Sequence, residues 1–161
     1  MNTFTVRILN QAGSEKQRWD TVQVSDDHNP LVLFGAWKRS LHTKVGEVPV
    51  QNQTLECYWP DQPYTVSAVY DQEWKLREFY ARLIKPVEVQ GNVLQYVDLG
   101  RHLSVKPDYD YRIIEDAAPS SNGGARPDHI DVEAAWEMLL DAVEERSGPF
   151  DMAFFDTYKP K

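Results

Sequence analysis

Between residues 79 and 116, polar side chains recur at the two-residue spacing of a β-strand, in which alternate residues share a face. Tyr80 and Arg82 fall on one face of one such stretch. Asp98, Gly100 and His102 fall on one face of the next, and Glu115 and Asp116 close a third. Neighbouring antiparallel strands would bring these short rows together. A hard divalent cation needs several oxygen ligands converging on one point. Asp98, Glu115 and Asp116 carry suitable oxygens for Mg2+ or Mn2+, and His102 adds a nitrogen. The same pattern also describes ordinary polarity at strand ends, and spacing alone does not separate the two. Elsewhere the chain has no Gly-rich phosphate loop, no Cys-x-x-Cys pair, no His-Glu-x-x-His and no Gly-x-Ser-x-Gly. Cys57 alternates with Leu55 and Trp59 and reads as a small core residue. His28, His42 and His129 lie in loop-like or terminal sequence and read as surface residues.

The elements that must position these groups are mostly strands. Phe4, Val6 and Ile8 alternate with Thr5 and Arg7. Leu31 to Phe34 is a short apolar run closed by Gly35. Leu55, Cys57 and Trp59 alternate with Glu56 and Tyr58, and Tyr64, Val66, Ala68 and Tyr70 repeat the pattern. The pattern continues over Trp74–Ile84, Val93–Val105 and Tyr109–Glu115, with strands expected over about 3–116. The segment 117–130 is rich in Pro, Gly and Ser and reads as a loop. Asp131 is a good helix N-cap. Behind it Val132, Ala135, Trp136, Leu139 and Val143 share one face of an amphipathic helix over about 132–146, stopped by Gly148 and Pro149. A tail over 149–161, with three aromatic residues from Asp151 onward, is expected to lie against the body or a partner. The fold class expected is α+β, mainly β: an antiparallel β-barrel followed by the C-terminal helix.

At 161 residues this is the size of a single domain over 1–161. Lys plus Arg is 17 against 25 for Asp plus Glu, a formal charge of −8, which argues against salt-driven binding of nucleic acid backbones. Tyr58, Tyr64 and Tyr80 offer faces on which bases could stack, but the charge weighs against RNA. The seven acids over 128–145 read as a solvated helix face. No apolar run reaches the roughly 20 residues of a membrane helix, and the first residues lack the basic-then-apolar order of a signal peptide. One cysteine cannot form an internal disulfide. A cytoplasmic location follows as the expectation, and a homodimer is left open.

The stretches Tyr64–Tyr70, Phe79–Pro86, Tyr96–Val105, Pro107-Asp108 and Tyr111–Asp116 resemble the FomD-like family, also known as a domain of unknown function, DUF402. The resemblance covers residues 54–116. It implies an antiparallel barrel with helices at its C-terminal end. It also implies divalent-metal-dependent hydrolysis of nucleoside di- and triphosphates or related phosphate esters. The family's metal pattern departs here at several positions. Where the family has Tyr-x-Asn, this chain has Tyr80-Ala81-Arg82. Of three spaced acids it keeps Asp98, with Gly100 and His102 in the other places. The closing acidic run is reduced to Glu115-Asp116-Ala117-Ala118. A one-residue slip would instead put Asp116 at the run's first acid.

Two functions follow from this. In a hydrolase, Asp98, His102, Glu115 and Asp116 would be the residual metal ligands, with Asp98 and Arg82 carrying catalysis. Arg82 would then stabilise charge on the phosphoryl oxygens. In a non-catalytic relative, the lost acids leave no metal site. Arg82, with Tyr80, Lys85, Lys75 and Arg101 as neighbours, would hold a phosphorylated small molecule or nucleotide by its bidentate guanidinium. The barrel would then serve binding or interaction. Arg82 paired with Asp98, filling the place of the lost ion, is a third and purely structural outcome.

Overall fold

Strands buried on both faces need an apolar or a satisfied residue at every position. The middle of this chain has them: from Thr54 to Tyr58 five successive residues are buried. The computed structural model describes residues 2–115 and 132–159. It contains β1 (Thr3–Leu9), β2 (Glu15–Gln23), β3 (Leu31–Thr43), β4 (Gly46–Tyr58), β5 (Tyr64–Tyr70), β6 (Leu76–Ile84), β7 (Glu88–Gln90), β8 (Val93–Val105) and β9 (Tyr111–Glu115). The helix α1 (Val132–Glu145) and two 3-10 turns, Gly148–Phe150 and Phe155–Tyr158, complete it. The class is α+β and mainly β, as expected. The expected loop over 117–130, the N-cap at Asp131 and the position of Asp116 lie outside the described residues.

The strands pair in the order β1-β2-β3-β4-β5-β6-β8, and β8 returns to pair with β1, so the pairings run round in a ring. The return differs from the all-antiparallel expectation, because β1 and β8 are parallel over Thr5–Leu9 and Val93–Val97. Short β7 and β9 pair with opposite halves of β8. The joint between β2 and β3 is thin, with Val22 opposite Phe34 and Gln23 opposite Leu33.

The run Leu31–Phe34 does not stop at Gly35, as its composition suggests. β3 continues through it to Thr43. The glycine is a close approach and not a turn: a Cβ there would stand 2.7 Å from Glu56 Oε2 and 3.1 Å from Thr54 Oγ1. Trp74, with φ 63°, belongs to the β5–β6 turn, which starts β6 at Leu76. In that turn the Asp71 carboxylate accepts the N–H groups of Glu73 and Lys75 at 2.8 and 2.9 Å.

Alternation sorts the side chains into two packed regions. Leu55 and Cys57 of β4, Val66 and Ala68 of β5, and Phe79 and Ala81 of β6 turn to one side. There Ala135, Trp136, Leu139 and Val143 of α1 cover them, as do Phe150 and Phe155 of the tail. The other side holds Phe4, Val6, Ile8, Leu33 and Leu94, with Tyr58, Ile84 and Tyr96. The exposed face of α1 carries Glu133, Glu137, Asp141, Glu144 and Glu145, which is the solvated acidic face expected. Among the described residues, no helix is long and apolar enough to cross a membrane.

Candidate functional site

The residues between those that pack on the helix turn the opposite way, and they are polar. Thr54, Glu56 and Tyr58 of β4, Thr65 and Ser67 of β5, and Tyr80 and Arg82 of β6 line a cavity of about 210 Å3. Tyr96 of β8 and Gln17 and Trp19 of β2 complete most of its wall. Beyond two residues each, β2 and β3 do not pair with each other, and Gln17, Trp19 and Ala36 come from those lengths.

Glu56 is buried in this wall at 4% exposure. Its carboxyl accepts hydrogen bonds from Trp19 Nε1 at 3.1 and 3.0 Å, Thr54 Oγ1 at 2.9 Å and Tyr58 OH at 2.8 Å. Burial pushes it above the usual carboxylate range, against the pull of those donors and of the Arg82 charge. Tyr58 and Tyr96 are likewise raised, first by burial. Cys57 is buried on the helix side, and burial also raises its thiol.

Arg82 is a half-buried guanidinium with 22% of its side chain exposed. It lies 5.2 Å from the centroid of the Tyr80 ring and 4.0 Å from Asp98 Oδ2. The second contact is an ion pair, too long for a hydrogen bond. Among the described residues the five N–H donors of Arg82 make no hydrogen bond, and they stand in the cavity wall.

Asp98 and His102 meet because β8 is bulged. A step of two residues on β6, Arg82 to Ile84, faces a step of four on β8, Asp98 to His102. Gly100 takes φ 86°, and its N–H donates to Asp98 Oδ1 at 2.7 Å. In a regular strand residues four apart are roughly 13 Å from each other. Here His102 Nε2 is 3.0 Å from both Asp98 oxygens. The shared face expected of Asp98 and His102 is therefore real, but it is made by the bulge rather than by simple alternation. A carboxylate can only accept, so Nε2 carries the proton, and in the neutral ring Nδ1 accepts from the Tyr80 hydroxyl at 2.9 Å.

Lys16 of β2, absent from the sequence expectations, places its ammonium 3.3 Å from Asp98 Oδ2. Burial pushes the Asp98 carboxyl up. The hydrogen bond and charge of His102, the Gly100 N–H and the Lys16 charge outweigh that, and Asp98 titrates at about 2.

The structure thus brings Tyr80, Arg82, Asp98 and His102 together. It does not bring Glu115 to them. Glu115 is exposed and pairs with Arg101 Nε at 3.1 Å, and Arg101 also holds Glu133 of α1 at 3.1 Å and lies over the Trp136 ring. Lys75 is exposed in the β5–β6 turn, at the far end of β6 from Arg82. Lys85 follows β6, is half-buried, and lies outside the cavity wall, with its N–H on Val97 O at 3.0 Å. Among the described residues no three His, Cys, Asp or Glu gather as a metal would require. Glu56 was missed because a polar residue alternating with Leu55 and Cys57 reads as solvent-facing. Gly35 was its one signal. Lys16 had none, since its strand looks like a charged surface.

The class this defines is a mainly β, α+β protein whose ring of strands holds a charged, aromatic-lined cavity. No family model matches the sequence, and no curated protein matches it. Solved structures match its fold. A phosphatase, SC4828, solved with the non-hydrolysable nucleotide GPCP, superimposes with a TM-score of 0.72 at 15% identity, over 99% of this chain and 89% of that one. FomD, solved in complex with CDP, superimposes with a TM-score of 0.61 at 15% identity, over 99% of this chain and 92% of that one. The mainly β, α+β class implied by the FomD-like resemblance is the class observed.

Proposed function

We propose that this chain is a FomD-like β-barrel that binds a phosphorylated ligand of the nucleotide class in the cavity. One observation carries the reading: Arg82 presents unspent N–H donors to a cavity walled by Trp19, Tyr58, Tyr80 and Tyr96. A guanidinium matches two phosphate oxygens at once, and aromatic faces suit a base. The two neighbours of like fold support it, one solved with GPCP and one with CDP.

Hydrolysis of a phosphoanhydride or phosphate ester is the second reading. It is favoured by the phosphatase neighbour and by the chain of contacts from Asp98 through His102 to Tyr80. The described donor set does not fit Mg2+ or Mn2+. It offers one carboxylate and one imidazole, with two cationic side chains already against that carboxylate. No step is therefore assigned to a metal here. What these residues do is bind: Arg82 holds phosphoryl oxygens, and Asp98 and His102 fix the Tyr80 hydroxyl.

Calorimetric titration with a panel of nucleoside di- and triphosphates tests the reading, with phosphate release followed in the same samples with and without Mn2+. Binding that Arg82→Gln weakens about tenfold or more is the expected result, from the loss of charge-assisted hydrogen bonds. Phosphate release above the buffer rate establishes the hydrolase. Binding without release establishes the non-catalytic relative. No binding across the panel overturns the proposal.

A further inference from the structure

We infer that the site takes the phosphoryl group without a metal, with Lys16 and Arg82 together occupying the role of a divalent cation. The inference rests on the nucleotide reading above and adds to it the second cation and the cofactor requirement.

The argument begins with Asp98, whose side chain is 1% exposed. An ionised carboxylate offers about four lone-pair positions. Those of Asp98 face the Gly100 N–H at 2.7 Å, His102 Nε2 at 3.0 Å and the Lys16 ammonium at 3.3 Å, with Arg82 Nη1 at 4.0 Å. A metal ion entering here would displace donors already in place and approach two fixed positive charges. No second carboxylate among the described residues compensates for that. Glu115 is held by Arg101, and Glu56 is held by Trp19, Thr54 and Tyr58.

Charge then decides what the site attracts. Two positive side chains, Lys16 and Arg82, meet the one carboxylate of Asp98, and the Glu56 carboxyl stands in the same cavity wall as Arg82. A site of several acids is negative and must recruit a cation before a phosphate can approach. This one already holds two cationic side chains. Its two cations come from different strands, β2 and β6, and are aligned by one buried anion. Asp98 is thereby a positioning residue: it orients the two groups that meet the phosphate. Lys16 is a point charge on a flexible stem and Arg82 a planar fork, and the pair can meet different oxygens of a diphosphate.

The test uses CDP as the probe, titrated calorimetrically into the full chain, first with EDTA and then with excess Mg2+. Mn2+ alone is followed in parallel by electron paramagnetic resonance. The expected result is a dissociation constant that differs by less than about twofold between EDTA and Mg2+, while Lys16→Gln weakens binding about tenfold. Lys16→Arg should recover most of that loss, and thermal melts of all variants separate lost binding from lost folding. The free Mn2+ signal should stay undiminished by equimolar protein. CDP binding that needs Mg2+, or Mn2+ captured by the protein alone, overturns this inference and leaves the nucleotide reading standing. CDP binding that Lys16→Gln leaves unchanged in a folded protein also overturns it. No CDP binding in either condition overturns the nucleotide reading and this inference with it.

Discussion

Strands β4, β5 and β6 have two faces that are chemically opposite, one buried and the other partly open. On the helix side, Leu55, Cys57, Val66, Ala68, Phe79 and Ala81 form one apolar cluster with residues of α1 and the tail. On the cavity side, Thr54, Glu56, Thr65, Ser67, Tyr80 and Arg82 line a hollow. The helix side stabilises by removing apolar area from water, a term that is additive and tolerant of detail. The cavity side gains little in this way. Each of its polar groups must find a partner or keep contact with solvent, and no fully buried side-chain polar atom among the described residues lacks one. One face holds the fold together, and the other is kept open by hydrogen bonds.

The largest effect that separates the two faces is truncation on the helix side. Phe79 is 1% exposed and packs against Phe150 and Phe155, with ring centroids at 5.6 and 6.4 Å. Phe79→Ala should cost about 3–5 kcal/mol in urea denaturation. A loss below about 1 kcal/mol would break the comparison, because it would show that α1 and the tail do not cover a packed core.

Next comes the cavity side, where the cost depends on pH. The Asp98 carboxyl is lowered from 3.8 in the unfolded chain to about 2. A group whose folded value is depressed contributes stability above its unfolded value and loses it as pH falls towards the folded one. That contribution is roughly 2 kcal/mol, present above about pH 4 and gone near pH 2. Asp98→Asn should therefore lower stability by about that amount at pH 7 and flatten the fall between pH 4 and 2. Denaturation curves across that range check it. An acid limb as steep in the variant as in the parent would remove Asp98 from its place between Lys16, Arg82 and His102.

The smallest effect concerns a residue expected from the sequence to be a metal ligand. Glu115 is 60% exposed at its side chain and pairs with Arg101 on the helix side. Exposed ion pairs contribute roughly 0–1 kcal/mol. Glu115→Gln should change stability by less than about 1 kcal/mol, with that change vanishing at high salt. A larger, salt-resistant loss would mean that the helix side also depends on charge.

Much of this was legible in the residues. Alternation over Tyr64–Tyr70 and Phe79–Ile84 marks the strands and which residues share a face. The helical spacing of Ala135, Trp136, Leu139 and Val143 marks the covering helix. The nearness of Arg82 to Asp98 follows from two adjacent rows. Other features were not legible, because they depend on groups distant in sequence. Glu56 looks like a solvent-facing residue until Trp19, 37 positions earlier, is seen to donate to it. Gly35 looks like a stop until the space above it is seen to be filled by the Glu56 carboxyl. Lys16 looks like one of many surface charges until the ring brings β2 across to Asp98.

By itself the sequence determined the class of fold and which apolar residues share a strand or helix face, because both follow from local periodicity and from removing apolar side chains from water. Which polar residues share a site was decided only when the ring closed. Electrostatic partners are chosen by distance in space, and the bulge at Gly100 and the meeting of β2 with β8 through Lys16 and Asp98 are set by packing across the whole sheet.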